Sequence, residues 1–81
     1  QANPAGIAYE GQCIIVYSAG DYFGNGKPFA TTANSPSWSQ LCDIAAEAQK
    51  VTGDKHHNFF EGVDVICETH GVPVFRLILG S

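Results

Sequence analysis

The sequence predicts an α+β fold in which one helix packs on a small, mostly antiparallel sheet. Three observations predict it: an amphipathic helical pattern at 38–52, a short β-branched run at 13–18, and two apolar runs near the end of the chain. A single helix buries its apolar stripe most economically by lying across one face of such a sheet. The 81 residues form one domain, since a chain of this length builds one core.

The first third of the chain contains the arm and the first strand. Residues 1–9 are small and contain proline and glycine, so they are predicted to form an extended arm. The composition and length of the run at 13–18 indicate a buried strand. Residues 22–29 place an Asn-Gly turn signal between aromatic residues, which predicts a hairpin or an aromatic loop. Pro28 cannot donate to a ladder, so any strand here is expected at an edge of the sheet.

The helix is defined by both of its ends. Ser37 and Gln40 have the spacing of a capping box, and Gly53 stands where a glycine commonly ends a helix. The apolar face consists of Leu41, Ile44, Ala45, Ala48 and Val51.

The last third is predicted to form a second hairpin. Residues 63–69 alternate, which places Val63, Val65 and Cys67 on one face of the strand. A tight turn at 70–71 leads into a more uniformly apolar strand at 72–79. The expected core consists of Ile15, Val16, Leu41, Ile44, Ala48, Val65, Leu77 and Leu79.

Charge and motif content exclude several classes of protein. The net charge is −4 and the four basic residues are scattered, so a nucleic-acid backbone is not an expected partner. No apolar run approaches the roughly 20 residues that a membrane span needs. No phosphate-binding loop, nucleophile elbow or recognised metal-ligand spacing is present, so no cofactor and no metal is predicted.

Three cysteines in a chain without methionine favour secretion, and the N-terminal Gln-Ala-Asn-Pro suits a mature chain after signal-peptide removal. We expect one intramolecular disulfide. Cys42 with Cys67 is one pairing, and Cys13 is the competing partner. The odd thiol is left free or links two copies, giving a monomer or a disulfide-linked dimer. The alternative is a cytosolic protein with three buried, reduced cysteines.

The densest polar and aromatic cluster lies at 56–62. It can be interpreted as a general acid/base pair, with His56 or His57 acting together with Glu61. It can also be interpreted as a solvated loop in which Phe59 and Phe60 close the end of the core, and that interpretation is favoured.

Residues 55–65, directly after the helix, resemble a segment of small secreted fungal guanyl-specific ribonucleases. The residues that match are Asn58, Glu61, Gly62 and Asp64. In that family the segment shapes the base-binding loop, so the resemblance implies that Glu61 binds a base. The family's catalytic glutamate falls at Phe75 here, with Arg76 beside it.

The size, the acidic balance and the lone helix are similar to those of small secreted effectors of plant-associated fungi. That similarity implies a ribonuclease-like scaffold used without catalysis to bind a host protein. The expected surfaces are the exposed sheet face, an edge strand and an aromatic loop. The residues expected to contact a partner are Tyr22, Phe23, Asn58, Phe59 and Arg76. The alternative is a minimal ribonuclease-like enzyme that uses His56, His57 and Glu61.

Overall fold

A computed structural model describes residues 6–20, 24–57 and 59–80. Within them the chain forms strands β1 and β2, then helix α1, then strands β3 and β4. Their bounds are Gln12–Tyr17 for β1, Phe29–Asn34 for β2, Trp38–Thr52 for α1, Phe59–Thr69 for β3 and Val72–Gly80 for β4. One helix on a four-stranded sheet confirms the predicted α+β class.

The strands form one mixed sheet in the order β2-β1-β4-β3. The β1–β2 and β3–β4 pairs are antiparallel, and the central β1–β4 pair is parallel. The sheet is therefore mostly antiparallel, as predicted. Strand β2 lies at an edge of the sheet and begins directly after Pro28, so all but its first residue follows the segment at 22–29, and it was not predicted from the sequence.

Both predicted ends of the helix are confirmed. The Ser37 hydroxyl accepts a hydrogen bond from the Gln40 amide at 3.1 Å, and the Gln40 side chain accepts one from the Ser37 amide at 2.8 Å. Gly53 ends the helix with φ of 71°, a left-handed conformation that glycine adopts without steric cost. In the described part of the chain, no helix is long and apolar enough to cross a membrane.

The N-terminal arm is described from residue 6 onward. Ile7 forms an isolated bridge with Ser37, and the Ala8 amide donates to the Pro36 carbonyl at 2.8 Å. These contacts hold residues 6–9 against the start of α1, and residues 1–5 of the predicted arm lie outside the described residues.

The core lies between α1 and one face of the sheet. It consists of Cys13, Ile15, Tyr17, Phe29, Leu41, Ala45, Ala48, Phe75 and Leu77. The predicted core residues Val16, Ile44 and Leu79 are only partly buried. Val65 was wrongly predicted, because its side chain is 62% exposed. The helix covers β3 near Phe60, whose ring contacts Trp38, but leaves the outer half of β3 uncovered.

Strand β3 contains two irregularities that alternation alone did not predict, an extra residue at Glu61 and a second at Ile66. Val65 pairs with Phe75, but Cys67 pairs with Val74, so Ile66 is an extra residue in the ladder. Val74 and Phe75 are neighbours on β4, so they face opposite sides of the sheet. Val65 is therefore on the core side with Phe75, and Cys67 is on the other side with Val74. The prediction that Val65 and Cys67 share a face is therefore wrong.

The predicted disulfide is also absent from the structure. Cys13, Cys42 and Cys67 are all described and all unpaired. Cys13 is fully buried in the core, whereas Cys42 and Cys67 are exposed. The β-bulge at Ile66 turns Cys67 to the face opposite α1, which removes the geometry on which the Cys42–Cys67 pairing depended. The alternative of three buried thiols is not met either, because only Cys13 is buried.

Candidate functional site

A buried carboxylate joins the end of α1 to the end of β1. Gly53 turns the chain at the end of the helix, and the next residue, Asp54, directs its side chain into the protein, where it is fully buried. Its Oδ2 atom accepts a hydrogen bond from the Tyr17 hydroxyl at 2.5 Å. Tyr17 is the last residue of β1 and is itself buried in the core.

The same carboxylate organises the loop that leads into β3. Its Oδ1 atom accepts hydrogen bonds from the backbone amides of His56 at 2.8 Å and His57 at 3.2 Å. The Nδ1 atom of His57 lies 2.8 Å from Oδ2, and the Gln49 side chain donates to the His57 carbonyl. The loop at 54–57 is therefore wrapped around one acceptor. In the part of the chain that is described, no buried side-chain nitrogen or oxygen lacks a partner.

These contacts set the protonation states of the pair. Burial alone would raise the pKa of Asp54, but the hydrogen bonds from Tyr17, His56 and His57 outweigh it and lower the pKa to about 2. Burial, and then the hydrogen bond to Asp54 and its charge, raise the pKa of the Tyr17 phenol well above its usual value. At neutral pH Asp54 is thus a charged acceptor and Tyr17 a neutral donor. This Tyr17–Asp54–His57 network is suited to holding the loop in place.

The predicted acid/base residues are placed in different surroundings. His57 belongs to the Tyr17–Asp54–His57 network and its side chain is 27% exposed, whereas His56 is an exposed loop residue. Glu61 lies on β3, is exposed, and has its carboxylate next to Gly80 of β4.

The chain's only arginine lies on the other side of the sheet. Arg76 pairs with Val16 in the β1–β4 register, so the two side chains are on the same face of the sheet. Tyr17, the residue after Val16, is in the core. Because successive residues of a strand face opposite sides, Val16 and Arg76 are on the face opposite the core. The Arg76 guanidinium pairs with Asp64 at 3.2 Å, and both side chains are 56% exposed. The sheet thus separates this cation from the Tyr17–Asp54–His57 network.

Among the predicted partner-binding residues, Tyr22, Phe23 and Asn58 lie outside the described residues. Phe59 begins β3 and is 64% exposed. It borders an open groove of about 310 Å³ between α1 and the strands. The groove is lined by Cys42, Ala45, Ala46, Gln49, Phe59, Phe60 and Leu79.

An exposed apolar strip along β3 was not anticipated from the sequence. We define this strip as the adjacent residues Val65 and Ile66, which are 62% and 48% exposed. Alternation predicted Val65 as core, so only the position of the helix reveals that it is accessible. The one available signal was that Val65, Ile66 and Cys67 are three apolar residues in succession, which cannot all face the same side of a regular strand.

Among residues 6–20, 24–57 and 59–80, no group of three or more His, Cys, Asp or Glu side chains is placed so that it could hold a metal ion. No protein-family model matches the chain, and no similar curated protein or solved structure is found.

Proposed function

We propose that this chain is a non-catalytic protein that binds a partner protein through β3. The observation that carries the proposal is the apolar strip, in which the adjacent residues Val65 and Ile66 are exposed by 62% and 48% on an edge strand. Large apolar side chains exposed together in this way are typical of interaction sites.

The energetics of the strip support a role in binding. Burying one valine, isoleucine or phenylalanine side chain contributes roughly 1.5–3 kcal/mol, and Val65 and Ile66 keep much of that area in water. They add little to the core of this fold. A partner that covers both side chains would gain the free energy of burying them at the centre of its contact with this protein, which is where binding energy is concentrated.

The surroundings of the polar residues favour binding over catalysis. A ribonuclease-like reaction that uses His56, His57 and Glu61 also needs a cation to stabilise the charge that develops on the phosphate. The only arginine, Arg76, is paired with Asp64 on the sheet face opposite the Tyr17–Asp54–His57 network, so the cations beside that network are the lysines Lys50 and Lys55. The chain charge of −4 also opposes the approach of RNA.

The nature of the partner is supported by the resemblance to small secreted fungal effectors. By that resemblance, the protein acts outside the cell that makes it and binds a host protein. The acidic balance of the chain favours a partner with a basic surface.

Site-specific photo-cross-linking tests this proposal. A photoreactive residue is placed at Val65 on β3 or at Thr32, an exposed residue on the opposite edge strand β2, and each protein is irradiated in host extract. We expect a discrete cross-linked protein from Val65 alone. Unlabelled wild-type protein should abolish that product by competition, and unlabelled Val65→Glu should not. Equal products from both positions, or equal competition by the variant, would contradict binding through β3.

A further inference from the structure

We infer that the free edge of β3 binds an extended, basic segment of the partner, which adds as a fifth strand of the sheet. The inference rests on the proposed function and names the chemistry of the partner at that same surface. Strand addition to an exposed sheet edge is a general mode of peptide recognition, in which backbone hydrogen bonds supply affinity and side chains supply specificity.

The edge of β3 is long and open. The strand has eleven residues and ends the sheet order β2-β1-β4-β3. Its pairing is with β4, and no other segment among residues 6–20, 24–57 and 59–80 makes a backbone hydrogen bond to it. A strand in this position presents a row of backbone N–H and C=O groups to any chain that approaches.

One residue shows which backbone groups point outward. Glu68 pairs with Pro73 in the β3–β4 register. Opposite residues in an antiparallel ladder alternate between hydrogen-bonded pairs and non-hydrogen-bonded pairs. Because proline has no N–H, Glu68 and Pro73 cannot be a hydrogen-bonded pair. In a non-hydrogen-bonded pair, the N–H and C=O groups of each residue point away from the partner strand. The N–H and C=O of Glu68 therefore face the free edge of the sheet.

Apolar side chains adjoin these outward groups. Val65 stands on the helix side of the strand, where the helix does not reach it, and Ile66 is the extra residue of the β-bulge. A segment that pairs with the backbone near Glu68 would place its own side chains beside both. The apolar strip and the open backbone are thus parts of one surface.

Charge favours a basic segment over a second copy of this chain. Strand β3 carries Glu61, Asp64 and Glu68 and no basic residue. Arg76 on β4 pairs with Asp64, and within the described part of the chain no ion pair involves Glu61 or Glu68. Opposite charges on neighbouring strands stabilise pairing and like charges oppose it. A segment with lysine or arginine next to Glu68 would place opposite charges on neighbouring strands. A second copy of β3 would instead place its acidic residues beside those of the first.

The experiment measures the binding of short, end-blocked fluorescent peptides by anisotropy at physiological ionic strength. The probe alternates lysine with valine. One control peptide has glutamate in place of every lysine. The other keeps the sequence of the probe but carries N-methyl groups on alternate backbone amides, which prevents strand pairing. We expect saturable binding of the lysine peptide, with slower hydrogen exchange of the Glu68 amide, and no binding of either control.

Variants separate the backbone from the charge. Glu68→Gln removes one charge and should weaken binding about twofold. Glu68→Pro also removes the outward N–H and should weaken it about tenfold. Glu47→Gln, at an exposed position on α1, is the matched charge control and should bind as wild type. The N-methylated peptide tests the same hydrogen bonds on the wild-type protein, so the result does not depend on the proline variant folding.

Absence of binding by the lysine peptide, equal binding of the N-methylated peptide, or equal losses in Glu68→Gln and Glu47→Gln would each overturn the inference. The cross-linking test remains separate. A partner cross-linked at Val65 together with no binding of the lysine peptide would retain the proposed function and reject strand addition.

Discussion

The hydroxyl of Tyr17 donates a 2.5 Å hydrogen bond to the buried carboxylate of Asp54, 37 positions later in the chain. The bond joins the end of β1 to the loop between α1 and β3. Because that loop leads directly into β3, the contact fixes where the edge strand begins. The surface that we propose for the partner thus depends on a buried polar network on the helix side of the sheet.

Replacing Tyr17 by phenylalanine tests this network. The Tyr17→Phe variant leaves the buried charge of Asp54 without one donor and should lower the free energy of unfolding by about 1.5–3 kcal/mol. Urea denaturation measures the change. Tyr9→Phe is the matched control, since Tyr9 packs its ring against Phe75 and its hydroxyl makes no hydrogen bond to the other described residues. The expected cost of the control is under about 0.5 kcal/mol, and equal costs for the two variants would contradict the role given to Tyr17.

The network also predicts how stability depends on pH. The pKa of Asp54 is about 2 in the folded protein and 3.8 without the fold, so its contribution is complete above pH 3.8 and is lost as pH falls towards 2. The loss should approach about 2 kcal/mol, at 1.36 kcal/mol for each pKa unit. In the Asp54→Asn variant, the free energy of unfolding should therefore change less with pH over this range, as measured by urea denaturation at each pH. An unchanged slope in that variant would show that other carboxyl groups set the acid sensitivity.

Thiol chemistry tests the correction to the cysteines. Two thiols, Cys42 and Cys67, should react promptly with an aromatic disulfide reagent in the folded protein. Cys13 should react only on unfolding, because it is fully buried and burial raises the pKa of its thiol. The single-cysteine variants assign each reaction. Fewer than three reactive thiols in denaturant without reductant would restore the disulfide.

The absence of ribonuclease activity is a further prediction. Purified protein should not cleave labelled RNA above background, because the sheet separates Arg76 from the Tyr17–Asp54–His57 network. The assay compares the wild type with the double variant His57→Ala, Glu61→Ala. Cleavage by the wild type that disappears in the double variant would establish the enzyme instead.

Local signals in the sequence predicted most of the fold. The capping box at Ser37 and Gln40 and the glycine at 53 act between near neighbours, so they define the helix before any tertiary contact is known. The edge strand β2, in contrast, follows Pro28 and was not predicted by any local pattern.

What could not be predicted depends on contacts between distant segments. Alternation assumes a regular ladder, and the extra residue Ile66 reverses the face of Cys67 without any mark in the local composition. The Tyr17–Asp54 hydrogen bond joins residues that no sequence spacing relates. The exposure of Val65 depends on where α1 stops covering the sheet, which is a property of the packed helix.

Direct binding measurements on the partner identified by cross-linking test the central claim, that this protein binds another protein through β3. Titration calorimetry compares the wild type with Val65→Glu on the edge strand and with Val51→Glu, a matched change at an exposed valine on α1. We predict a loss of about tenfold or more in affinity for Val65→Glu and wild-type affinity for Val51→Glu. Equal affinities for the two variants would contradict the account.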